Sequence, residues 1–231
     1  MLIRDSIARI QEIIHKTCAR TGRNPDEIRL MGVSKFHSAE EVEEAWNAGI
    51  RLFGENRVQE AAGKFPAFIE AHPETELHLI GNLQRNKAKS AVSLFDCIES
   101  VDRESLITEL GKASGEREKP LRLLLELHTG EESKSGFPTI DELFRGIEHI
   151  LSFPALKIEG LMTMAPYTND KNLIRRSFRD LIAVQEKARR NFPDCDFSCL
   201  SMGMTNDFEI AIEEGSTLLR IGTAIFGERK L

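Results

Sequence analysis

Short runs rich in leucine, isoleucine, valine and phenylalanine recur along the chain, with polar-spaced segments between most of them. Read as strands, the runs are Ile28–Lys35, Arg51–Glu55, Glu76–Gly81, Phe95–Val101, Leu121–Thr129, Lys157–Met164, Phe197–Gly203 and Thr217–Ile221. Between them the pattern turns helical. Ser38-Ala39-Glu40-Glu41 opens one helix with a serine N-cap and a glutamate three residues on, the pattern of a capping box. Asn206 and Glu209 open another in nearly the same way. The run Leu121–Leu125 suits a strand covered on both faces, as parallel sheets require.

Eight strands alternating with helices in 231 residues predict an α/β fold, a single (β/α)8 TIM barrel over residues 1–231. An additional amphipathic helix, Leu2 to about Arg20, precedes the first strand and is expected to cover the bottom or side of the barrel. An open doubly wound sheet would show the same alternation, although eight strands in this length favour closure. No GxGxxG turn follows the first strand and no GxxxxGKS/T loop occurs, so neither the dinucleotide fold nor a P-loop finds support. No proline- or glycine-rich linker divides the chain.

Composition narrows the function classes. A hydrophobic content of 41% provides for a sizeable core, and a net charge of −6 gives no basic field for a nucleic-acid backbone. No apolar run is long enough to span a bilayer. The start, MLIRDSIARIQEII, mixes charged and apolar residues as an amphipathic helix does, not as a signal peptide does. Cys18, Cys97, Cys195 and Cys199 have no CxxC spacing, and no His/Cys pair follows at zinc spacing. They read as free thiols of a cytoplasmic protein, with no metal site.

Functional residues of such a barrel lie at the C-terminal ends of its strands. Lys35 ends the first strand, and period two sets it on the face of Met31 and Val33. If those two point inward, its ammonium enters the barrel mouth, where burial depresses its pKa and leaves a neutral amine suited to carbonyl condensation. Taken alone, a lysine reaching for solvent is the better reading. Arg220 changes the balance. It ends the eighth strand, which closure brings beside the first, so Lys35 and Arg220 are expected as neighbours at one rim. Two cations there call for an anionic ligand. An arginine paired with a loop carboxylate stays open as the alternative. The loops after the seventh and eighth strands, Ser201-Met202-Gly203-Met204 and Gly222-Thr223-Ala224, suit a phosphate, with a helix capped near Thr205 or Asn206 behind the first.

Several blocks carry a more specific likeness: VSK, AEEVEEAWNAGIRLFGENRVQE, HLIGNLQRNKAK, GEESKSGF, GLMTMAP and SMGMTNDFEIAIEEGSTLLRIGTAIFG. Together they resemble the pyridoxal phosphate homeostasis protein family (YggS/PROSC-like), from the N-terminal helix to the C-terminus. The resemblance implies an alanine-racemase-type barrel with pyridoxal 5′-phosphate (PLP) on Lys35 and Arg220 near the pyridine nitrogen. It implies Ser201, Gly222 and Thr223 on the phosphate, beside Gly203, with Asn56 lining the pocket. Phe36, Asn82 and His128 depart from the residues common in the family. These three lie on rim loops or strand ends and bear on access more than on cofactor binding.

Other candidates are weaker. His37 reads as a solvated rim histidine before a pocket base, and His78 as a satisfied core histidine. The Gly130–Phe137 loop, with Glu131, Glu132 and Lys134, reads as a lid or as an ordinary charged loop. Gln84–Lys89 reads as a helix start with solvated lysines. Three functions follow: a non-catalytic PLP carrier that buffers the cofactor or delivers it to apo PLP-dependent enzymes, a PLP-dependent amino-acid racemase, or a Schiff-base aldolase without PLP. Racemases of this fold resemble the barrel but add a β domain whose tyrosine is the second base. Here the chain ends soon after the eighth strand and has one tyrosine, Tyr167. The carrier is therefore favoured, with no catalytic residue assigned, as a monomer or weak homodimer.

Overall fold

The computed structural model describes residues 2–115, 117–130 and 135–228. Eight parallel strands, β1 (Arg29–Val33), β2 (Leu52–Glu55), β3 (Glu76–Leu79), β4 (Cys97–Val101), β5 (Leu121–Glu126), β6 (Leu156–Met162), β7 (Cys199–Ser201) and β8 (Leu218–Ile221), close into a barrel in chain order. The helices are α1 (Ile3–Thr21), α2 (Ala39–Asn47), α3 (Val58–Ala71), α4 (Ala88–Leu94), α5 (Glu104–Ser114), α6 (Ile140–Leu151), α7 (Lys171–Asn191), α8 (Phe208–Glu214) and the short α9 (Thr223–Phe226). Every expected strand is present, and hydrogen bonding of β8 to β1 decides for the closed barrel over the open sheet. Several strands end sooner than the apolar pattern suggested. β1 stops at Val33, so Lys35 lies in the following turn rather than on the strand.

Period-two alternation sorts the strand residues into two environments. Phe53, Leu77, Leu79, Ile98, Leu123, Leu125, Leu219 and Ile221 pack outward with helix residues such as Val42, Phe65, Leu110 and Phe178 in one continuous core. Met31, Val33, Leu52 and Leu218 form a separate interior cluster, and Cys97, Leu124 and Met162 another. Strand contacts without helix residues identify these as the barrel's inside. Met31 and Val33 thus face inward, which the alternation alone left open.

The capping box forms at α2: Glu41 N–H donates to Ser38 Oγ at 3.3 Å and Ser38 N–H to Glu41 Oε2 at 2.9 Å. The second cap does not form where expected. α8 starts at Phe208 after Asp207, whose carboxylate accepts the Met204 N–H at 2.5 Å, and that bond shapes the turn before the helix. Gln84–Lys89 divides into a 3-10 turn, Arg85–Lys87, and the start of α4. Glu131–Lys134 of the expected lid lie outside the described residues. All four cysteines are unpaired. No helix among the described residues is long and apolar enough to cross a membrane.

α1 covers the side of the barrel, not its bottom. Ile3, Ile7, Ile10, Ile14 and Cys18 form its buried stripe, which packs toward α2, α8 and α9. Arg20 pairs with Glu213 on α8, and Arg23 donates to the carbonyls of Ile212 and Ser216, both at 2.8 Å. This helix therefore closes over the β8–β1 seam. Ile10→Ala should lower the unfolding free energy by about 2–5 kcal/mol, the usual cost of emptying a buried isoleucine site. Urea denaturation checks it, and a change below about 0.5 kcal/mol would mean that α1 is not docked in solution.

Candidate functional site

The inward face of the barrel carries charge. His78 on β3 is 1% exposed, and its Nδ1 lies 2.6 Å from Glu99 Oε1 while its Nε2 lies 2.7 Å from Glu76 Oε1. Between two ionised carboxylates, which only accept, both ring nitrogens donate, the arrangement of an imidazolium. Burial opposes that charge, but the two glutamates outweigh burial and hold the His78 pKa above its ordinary value. Burial likewise opposes ionised Glu99, yet His78 and Arg220 hold its carboxyl below the usual range.

From Glu99 the network continues to Arg220. Ser201 Oγ donates to Glu99 Oε2 at 2.5 Å and accepts from Arg220 Nη1 at 2.5 Å. Arg220 Nη2 donates to the Thr163 carbonyl at 2.8 Å, and its Nη1 lies 3.9 Å from Glu99 Oε2. The carboxylate partner that a loop could have supplied comes instead from β4. At the other end, Glu76 pairs with Arg29, and with Arg122 at 2.7 Å. Arg122 in turn lies 3.3 Å from Glu159. Cations and anions alternate from the N-terminal opening to Arg220.

Lys35 and Arg220 lie at the same end of the barrel but at different depths. Arg220 is 4% exposed and pairs in register with Met31, four residues before Lys35. At ~3.3 Å per strand residue that is an offset of up to ~13 Å along the barrel. Lys35 is half-buried in the turn after β1. Asn56 is half-buried just beyond β2. Ser201 is fully buried at the end of β7, and its one hydroxyl hydrogen points to Glu99. Donation to a phosphate would require that hydrogen to turn away.

Two glycines keep the neighbouring loops flush with the strand ends. Gly203 has φ +99°, and a Cβ there would sit 2.6 Å from Ala211 Cβ. Gly222 precedes α9, and a Cβ on it would meet the Val33 carbonyl at 3.3 Å. Thr223, exposed, is the first residue of α9. The Ala224 N–H donates to Thr205 Oγ1 at 3.3 Å and ties the two loops together. One end of the barrel thus combines a lysine, a fixed guanidinium and two close-packed glycine loops, a donor set suited to a phosphorylated aldehyde.

The alanine racemase N-terminal domain model matches residues 8–230. A pyridoxal phosphate homeostasis protein of Aquifex aeolicus is 38% identical over 226 residues, covering 98% of both chains. The chain belongs to the pyridoxal phosphate homeostasis protein family. Among solved structures of similar fold, PipY of Synechococcus elongatus with PLP bound has a TM-score of 0.82 at 33% identity, over 93% of this chain and 100% of that one. Alanine racemase of E. faecalis has a TM-score of 0.72 at 18% identity, over 95% of this chain and 57% of that one, a likeness of fold alone.

The positions at which this member departs from the family pattern have defined surroundings. Asn82 Nδ2 donates to Asp102 Oδ2 at 3.1 Å, and the His128 N–H donates to the Phe137 carbonyl at 3.1 Å. Phe36 is 49% exposed beside Lys35. His37 is not the expected solvated rim residue. It stacks on Phe226 at 4.8 Å between centroids and meets Glu41 at 3.3 Å, directed toward α2. His78 is a satisfied core histidine, as its place inside a strand suggested.

Sequence reading missed Glu99 and Glu126. Their signal was a charged residue at inward parity within an apolar strand, in CIESV and LRLLLE. Glu126 is 1% exposed and accepts from Ser135 Oγ at 2.8 and 2.9 Å. Burial pushes its carboxyl up to about 7, with Ser135 and Arg220 offsetting part of the effect. A carboxyl that holds its proton more tightly when folded destabilises the fold as pH rises from its unfolded value, ~4.3, toward its folded one. Glu126→Gln keeps an acceptor for Ser135 and cannot ionise. Its stability relative to the parent should therefore rise by roughly 2–4 kcal/mol between about pH 4.5 and pH 8. Parallel stability–pH curves from chemical denaturation would contradict this placement of Glu126.

Proposed function

We propose that the protein holds PLP as a Schiff base on Lys35 and buffers the cofactor or delivers it to apo PLP-dependent enzymes. The observation that carries the reading is the guanidinium of Arg220, held by Ser201, Thr163 and Glu99 beneath the turn that bears Lys35. The PLP-bound relative at 33% identity supports it independently. When bound, PLP supplies an aldehyde for the lysine and a ring that accepts electron density.

Each residue of this chain then has a task. Lys35 provides the amine. Gly203, Gly222 and Thr223 receive the phosphate through backbone N–H groups and the Thr223 hydroxyl, with Ser201 acting mainly through Arg220 and Asn56 bordering the ring. Arg220 faces the pyridine nitrogen with donors beyond the two used on Ser201 and the Thr163 carbonyl. A guanidinium keeps its protons, so it hydrogen-bonds that nitrogen without protonating it and weakens the electron sink that amino-acid chemistry needs. That choice of residue favours holding over turnover without excluding slow side activity. The relatives' name, which describes homeostasis and not a reaction, agrees with it. We further read residues 1–231 as one PLP-binding domain of a cytoplasmic monomer or weak homodimer, a location supported by four unpaired cysteines.

Borohydride reduction of the PLP-loaded protein, followed by peptide mapping, tests the attachment. A phosphopyridoxyl group on Lys35 is expected, and its presence on another lysine with Lys35 unmodified would overturn the assignment. Incubation with L- and D-alanine in deuterated water separates carrier from racemase. α-Proton exchange should stay far below the ordinary enzyme range of about 1–1,000 per second, and exchange within that range would establish the racemase instead. In a transfer assay, delivery to an apo-enzyme no faster than release of free PLP would leave a buffer and reject directed delivery.

A further inference from the structure

The turn that carries Lys35 contains a conformationally costly residue. Phe36 has φ +66°, and among the described residues no other non-glycine residue has positive φ. In this left-handed region the Cβ crowds the backbone, so surrounding contacts must hold the residue there.

The holding contacts come from α3, outside the barrel. Lys64, with a side chain only 9% exposed, donates to the Ser34 carbonyl at 2.8 Å, to Glu55 Oε1 at 2.8 Å and to Glu60 Oε1 at 3.4 Å. All three ammonium N–H groups are thereby directed to acceptors. Glu60 Oε1 also accepts the Phe36 N–H, and Glu55 Oε1 accepts Ser34 Oγ at 2.8 Å. The cluster grips the residues on either side of Lys35: the carbonyl and hydroxyl of Ser34 before it, and the amide of Phe36 after it.

A buried cluster of this kind is a poor source of stability, because apolar residues of similar volume commonly serve as well. Glu55 adds to the cost: its Oε2 is buried with no hydrogen-bond partner. What charges with fixed partners do provide is one defined geometry for the backbone that they hold.

We propose that Lys64, with Glu55 and Glu60, is a positioning cluster that sets the direction in which Lys35 enters the barrel mouth, and so the rate at which its amine joins an aldehyde. This rests on the reading of Lys35 as the cofactor lysine. In that joining, the amine lone pair attacks the aldehyde carbon and the carbonyl oxygen leaves as water with the two amine protons. No oxidant or reductant is needed. Lys64 touches none of the reacting atoms and acts only through the turn.

Two ligands separate positioning from a merely structural role. PLP requires Lys35 for its covalent bond, whereas pyridoxamine 5′-phosphate has no aldehyde and binds through phosphate and ring alone. Lys64→Met and Glu60→Ala should each slow Schiff-base formation, followed by absorbance and by borohydride trapping at Lys35, by about 10- to 100-fold. Affinity for pyridoxamine 5′-phosphate should stay within about twofold, since its contacts, Asn56 apart, lie on other loops. Glu60→Gln keeps an oxygen for the Phe36 N–H and should lie closer to the parent than Glu60→Ala. If Lys64→Met does not fold, as judged by circular dichroism, the Glu60 pair carries the test. Equal weakening of both ligands, or unchanged trapping in folded variants, would overturn the proposal. Absence of trapping at Lys35 in the parent protein would instead reject the cofactor-lysine reading, and this proposal would fall with it.

Discussion

A charged histidine between two carboxylates organises the inside of this barrel. His78 gives one ring N–H to Glu99 and the other to Glu76, with almost no exposure to water. Burial of an unpaired charge is so unfavourable that each member requires its neighbours. Glu99 is anionic because His78 and Arg220 flank it, and Arg220 sits deep because Ser201 and Glu99 receive it. Barrels of this type commonly fill their interior with branched apolar side chains. Here such residues occupy only part of it, in clusters around Met31 and Cys97.

That exchange of packing for charge matters at the C-terminal mouth. A guanidinium on a free surface loop would have many rotamers, and ordering it on a ligand would cost side-chain entropy. Arg220 is already ordered by the Thr163 carbonyl just beyond β6 and by a serine hydroxyl. Its interactions with a ligand therefore begin from a fixed geometry in a water-poor setting, where electrostatics are strong. The turn of Lys35 follows the same logic from the outside, through α3 instead of the barrel interior.

The barrel itself was legible because its evidence is periodic. Strand after strand repeats an apolar run with outward residues of the Phe53, Leu77 and Ile98 kind, and each run matches a strand. Lys35, Gly203, Gly222 and Thr223 were legible as strand-end residues. The depth of Arg220 was not, because register is a property of paired strands: only the pairing of Met31 with Arg220 shows that β1 continues past it toward Lys35. Glu99 and Lys64 were hidden for a related reason. A lone glutamate in a strand or lysine on a helix reads as solvated surface until folding brings its partner beside it, and their partners lie on other elements. The second helix cap failed because Asp207, a residue later than Asn206, captured the Met204 amide.

The chain of charges depends on His78 being protonated, and nitrogen-15 NMR of the histidine rings reads that state directly. At about pH 8 a histidine of ordinary pKa, ~6.5, is almost entirely neutral, with one protonated and one bare nitrogen. His78 should instead show two protonated nitrogens with nearly equal, imidazolium-type shifts, and Glu99→Gln should move its titration toward lower pH. A neutral His78 ring at about pH 8 in the folded parent protein would contradict the charge chain and the fixed Arg220 built upon it.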